Sequence, residues 1–124
     1  MVIWITGKRS SGKTTYGKRL KDFLEKLGGK VLLLDGDEIR DLTDNDDFSD
    51  EARERHILTT ARFAALAEKQ GFLIIICLVS PKKKWRMEAR KLFDKSIVIP
   101  LPNGELWEGT DYEDVGIEET MFYG

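Results

Sequence analysis

The sequence predicts a three-layer α/β/α fold built on a mostly parallel sheet of four to five strands. Short apolar runs at residues 2–6, 31–34, 72–79 and 96–100 alternate with longer amphipathic ones, the order expected of a parallel sheet with helices on both faces. The run 72–79 is apolar throughout, as a strand covered from both sides should be. A chain of 124 residues, 41% hydrophobic and 34% charged, suits one domain around one core.

Taken in order, Val2-Ile3-Trp4-Ile5-Thr6 is a short β-rich run. Residues 13–27 read as a helix, with Tyr16, Leu20, Phe23, Leu24 and Leu27 as its apolar stripe. Gly28-Gly29 ends it, because glycine accepts the left-handed turn at a helix C-terminus. Residues 31–34 form the second strand, and the acidic stretch 41–50 reads as a loop. Ser49 caps a helix over 50–70, closed by Gly71, with Ile57, Leu58, Ala61, Ala65 and Leu66 turned inward. After the strand at 72–79, Ser80-Pro81 reads as a cap followed by proline at the first helical position. That helix runs to about Phe93, and residues 96–100 form the fourth strand. The Gly-rich, acidic tail from Asn103 has no legible pattern.

Bulk properties exclude several classes. A net charge of −2 gives no general attraction to nucleic acid. The longest apolar run is too short to span a membrane. A lone cysteine, Cys77, cannot form an internal disulfide. A soluble cytoplasmic protein is the expectation. One histidine and one cysteine leave nothing for a structural zinc site.

The chemistry enters at Gly7-Lys8-Arg9-Ser10-Ser11-Gly12-Lys13-Thr14, a full G-x-x-x-x-G-K-[ST] match between a strand and a helix. Such a loop wraps phosphate with backbone N–H groups, and a side chain at Gly12 would obstruct it. The helix N-terminus adds partial positive charge. Lys13 is expected on the β- and γ-phosphates of a nucleoside triphosphate, and Thr14 on Mg²⁺, with Thr15 beside them. Lys8 and Arg9 either touch phosphate or are simply solvated. The second strand ends on Asp35-Gly36-Asp37, which falls on the same rim, since ligands sit at the C-terminal ends of parallel strands. Either carboxylate can attend the metal or orient an acceptor hydroxyl; the alternative is that one of them caps a helix. Arg40, one turn beyond Asp37, can hold an anionic group.

Taken together, the phosphate loop, Leu34-Asp35-Gly36-Asp37-Glu38-Ile39-Arg40, Phe48-Ser49-Asp50-Glu51-Ala52-Arg53-Glu54 and Ser80-Pro81 resemble the adenylylsulfate kinases, P-loop kinases that move the γ-phosphate of MgATP to the 3′-hydroxyl of adenylylsulfate. The resemblance covers roughly residues 2–100. It implies that Asp35 and Asp37 are the acidic pair near metal and acceptor. It also implies that Arg40 and Arg53 contact the acceptor nucleotide, that Phe48 stacks on its adenine, and that Ser80 is the serine closing the third strand. The chain departs from the family pattern at His56, where asparagine is usual, and at Lys82-Lys83, where Tyr-Arg is usual. Its lid region is reduced around residues 101–109, where Trp107 to Asp111 faintly resemble the family's F-T-G-I-D segment. His56 is expected either to touch the acceptor or to lie partly exposed on its helix.

Lys82, Lys83, Lys84 and Arg86 crowd the start of one helix against its dipole; they either offset the reduced lid by binding an anion or form a solvated face. The expectation is a single 1–124 domain that phosphorylates a small nucleotide-like acceptor, with a homodimer possible. The alternatives are a nucleotide-binding regulatory module and a simple NTPase.

Overall fold

A computed structural model of the chain describes residues 1–8, 11–43, 49–102, 104 and 112–122. Its elements in order are β1 (Val2–Gly7), α1 (Lys13–Lys26), β2 (Val31–Asp35), α2 (Gly36–Leu42), α3 (Asp50–Lys69), β3 (Leu73–Leu78), α4 (Lys83–Arg90), β4 (Ser96–Leu101) and a 3₁₀ turn at Ile117–Thr120. The four strands form one sheet in the order β2-β3-β1-β4. Every pairing is parallel, with Val2 opposite both Ile74 and Ser96.

Side-chain alternation divides the core into two layers. Ile74, Ile76 and Leu78 of β3 point into the larger cluster, with Trp4, Ile57, Ala61, Trp85, Ala89 and Phe93 from the strand beside them and from the α3 and α4 side. Ile75 and Cys77 point the other way, into a smaller cluster with Ile5, Val31, Leu20 and Leu24. Helix α1 therefore covers one face and α3 with α4 the other. This is why β3 is apolar at every position.

The helix faces differ from those the apolar residues alone suggest. On α1 only Gly17 is fully buried. A Cβ at Gly17 would stand 2.7 Å from Cys77 Sγ, so the helix seats directly on the sheet there. Gly17, Leu20 and Leu24 make the contact face, at helical spacing. Tyr16, Phe23 and Leu27, expected inside, lie along its flank and are 41%, 59% and 70% exposed. A glycine carries no apolar signal, so a reading from large residues centres the stripe one position off. Leu66 on α3, also expected inside, is exposed as well, while Ala64 and Thr60 take the buried positions.

Two boundaries are corrected and the tail gains a structure. Residues 36–42 form a helix, so Asp41 and Leu42, expected at the start of the 41–50 loop, are helical. Helix α4 starts at Lys83 with Lys82 at its N-cap, not at Ser80-Pro81. The tail, unreadable as sequence, folds back onto the body: Glu113 N–H donates to Pro81 C=O and the 3₁₀ turn buries Glu119 completely.

Candidate functional site

Because all four strands run in one direction, their C-terminal ends make a single rim. The loop after β1 leads to α1 on one face, and the loop after the adjacent β3 leads to α4 on the other. A crevice opens where neighbouring connections diverge in this way.

The phosphate loop lies at that crevice. Gly12 occupies the N-cap of α1 at φ +91°, a left-handed conformation that disfavours any side chain. Among the described residues, chain neighbours aside, no atom lies within 4 Å of where its Cβ would stand, so backbone conformation is what requires glycine here. Gly7 answers to a different demand: its Cβ would come within 2.7 Å of Ser11 Oγ and 3.0 Å of the Leu101 carbonyl. Among the described residues no side chain caps α1, which leaves the N–H groups of its first turn to an anion. Thr15, the third residue of α1, lies in that turn and is exposed. Arg9 and Ser10, both expected in the loop, lie outside the described residues.

Lys13 folds back over the loop, its Nζ donating to Lys8 C=O at 2.8 Å and lying 3.4 Å from Ser11 Oγ. Burial lowers its pKa, opposed by the carboxylate charges of Asp37 and Asp35. The Thr14 hydroxyl donates to Asp35 Oδ2 at 2.8 Å, joining the phosphate loop to the end of β2. The other oxygen of Asp35 accepts from Asp37 N–H at 2.9 Å and so caps α2. Asp35 therefore caps the next helix, the alternative reading of this segment, while its other oxygen faces the phosphate loop. Asp37 is exposed at the rim, near enough to act on Lys13.

The other expected residues divide. Arg40 and Arg53 are half-buried on α2 and α3. His56 is buried rather than partly exposed. Desolvation lowers its pKa, and the nearby Arg40 guanidinium lowers it further, against a hydrogen bond to the Gly36 backbone and the charge of Asp37. Its ring therefore bridges α3 to the start of α2. Ser80 sits at the rim, fully buried, its Oγ accepting from Trp4 Nε1–H at 3.1 Å. Phe48 and Trp107 lie outside the described residues, as does most of the segment 101–109.

The expected basic cluster does not face one ligand. Lys82 pairs with Asp50 at 3.4 Å, and Lys83 pairs with Glu118. Arg86 is fully buried against Glu119, its Nε 2.8 Å from Oε1. Sequence reasoning missed Glu119, because nothing local marks a buried acid in a polar tail. Cys77 is no nucleophile: burial, reinforced by the Asp35 charge, pushes its thiol up to about 12. Among the described residues no group of three or more acidic, histidine or cysteine side chains is arranged to hold a metal, and no helix is long and apolar enough to cross a membrane.

A glycine-cornered loop between β1 and α1, tied by a threonine to an acid at the end of β2, two strands away in the sheet, defines a P-loop protein of the three-layer α/β/α class. The adenylylsulphate kinase family model matches residues 1–102, and the chain belongs to that family. It is 40% identical over 99 residues to a probable adenylyl-sulfate kinase of Archaeoglobus fulgidus, which covers 79% of this chain and 64% of that one. It is 35% identical over 116 residues to a probable adenylyl-sulfate kinase of Aeropyrum pernix, covering 93% and 62%. A Mycobacterium tuberculosis APS kinase solved in complex with AMPPNP and APS superposes with a TM-score of 0.76 at 26% identity, over 81% of this chain and 61% of that one. The matches thus span less than two thirds of each of these relatives.

Proposed function

We propose that the chain transfers the γ-phosphate of ATP, bound with Mg²⁺, to the 3′-hydroxyl of adenylylsulfate. The observation that carries the reading is the 2.8 Å bond from Thr14 to Asp35, which brings an acid to the phosphate loop from a separate strand. Family membership supports the same activity, as does the likeness to a relative solved with AMPPNP and APS.

The residues present fit a magnesium ion. A hydroxyl and a carboxylate are hard oxygen donors, and magnesium commonly takes only one or two protein ligands beside phosphate and water. Thr14 and Asp35 would hold it, and when bound it neutralises charge on the phosphate oxygens. The loop amides and the uncapped α1 terminus receive the phosphates. Lys13 leaves Lys8 C=O for the β,γ-bridge, an exchange made easier because its present partner is a neutral carbonyl. Asp37 orients the acceptor hydroxyl and takes its proton as the oxygen bonds to the γ-phosphorus and ADP departs. Arg40 and Arg53 hold the acceptor's anionic groups, and His56 keeps α2 in place beneath Arg40.

Steady-state ADP release with and without adenylylsulfate and Mg²⁺ tests this. The expected result is turnover that requires both. Equal release without the acceptor would make the protein an NTPase, and nucleotide binding without release would make it a binding module.

A further inference from the structure

The tail described at residues 112–122 lies beyond the family match, which ends at residue 102, yet it is fastened to the ligand rim. The Tyr112 hydroxyl is hydrogen-bonded to Thr6 Oγ1 at 3.2 Å. Thr6 is fully buried and immediately precedes Gly7, where β1 turns into the phosphate loop. The segment carrying Tyr112 is itself fixed from below. Arg86 donates to both carboxylate oxygens of Glu119, to Ser80 C=O and to Glu113 C=O. Its guanidinium lies 5.7 Å from the Tyr112 ring centroid. Arg90 holds the Glu119 and Met121 carbonyls.

A buried ion pair is weak evidence for stability, because desolvating both charges offsets much of their attraction. A satisfied polar network instead fixes one geometry. Here the geometry it fixes ends on a hydroxyl at the base of the phosphate loop. We propose that Tyr112 is a positioning residue for the phosphate loop, holding the β1 exit through Thr6 so that the loop amides converge before nucleotide arrives. Preorganisation of this kind favours binding by removing an ordering penalty from it. Burial raises the Tyr112 pKa above its ordinary value, so the phenol remains neutral and able to donate across the physiological range.

The inference rests on the phosphate-binding reading given under Proposed function, and Tyr112→Phe separates the two. This variant keeps the ring beside Arg86 and removes only the hydroxyl. Three quantities are measured on wild type and variant: amide hydrogen exchange at Gly7 and Lys8 in ligand-free protein, and Kd for MgATP and for adenylylsulfate by calorimetry. The expected result is faster exchange confined to the β1 exit and the loop, a Kd for MgATP raised about three- to tenfold, and an unchanged Kd for adenylylsulfate. Unchanged exchange at Gly7 and Lys8 overturns the proposal, and so does exchange accelerated evenly across β1 and β3, the mark of a purely structural role. Equal loss of affinity for both ligands overturns it too. If wild type binds no MgATP, the functional reading fails, and the exchange experiment still decides the role of Tyr112.

Discussion

Asp35 engages each of its carboxylate oxygens differently, one with Thr14 and one with the first turn of α2. Asparagine caps a helix about as well as aspartate, so Asp35→Asn should leave the melting temperature nearly unchanged. The charge near the phosphates would be lost, and we expect adenylylsulfate-dependent turnover to fall by about 10²-fold or more; turnover close to wild type would remove Asp35 from the chemistry. His56 gives a prediction in pH. Its folded pKa lies below the ordinary 6.5, so below that value the unfolded chain binds the proton more readily. Stability is then fully present above about pH 6.5 and is lost as pH falls toward the lower folded value. Urea midpoints of wild type across pH 5 to 8 should show this fall, and His56→Gln should flatten it; matching slopes would contradict the assignment. The sequence placed Lys13, Thr14, Asp35 and Asp37 at one rim because each sits in a motif next to a strand end. It could not show that His56 is buried, since a single histidine among charged helix residues carries no signal of what packs over it.

The elements were legible where local chemistry sets them. Ser49 accepts from Ala52 N–H at 3.3 Å and starts α3 where its position before the helical run predicts. Ser49→Ala should destabilise the fold by about 1 kcal/mol, read as a lower urea midpoint at unchanged slope; no change would mean the cap is idle. Ser80-Pro81 misled for a physical reason. The same residue types that cap helices also serve buried partners, and Trp4 had already claimed the Ser80 hydroxyl across 76 residues of chain. The α1 stripe was misplaced because its closest contact with the sheet is a glycine. The 3₁₀ turn was invisible because what holds it, Arg86 and Arg90, lies some 30 residues upstream.

For the whole molecule, the alternation of apolar runs was sufficient for the parallel sheet with helices on both faces, and the strand order then opens the crevice between the β1 and β3 exits. What pattern could not supply was closure at the distal end, where a tail with no apolar period returns to the rim through buried charge. The central claim is phosphoryl transfer by this chain to adenylylsulfate, and the most direct measurement follows γ-labelled phosphate from MgATP onto that acceptor. Wild type should yield labelled 3′-phosphoadenylylsulfate in step with ADP, and Lys13→Ala should yield none. ADP formed with no label on the acceptor, or equal label from both proteins, would contradict the account.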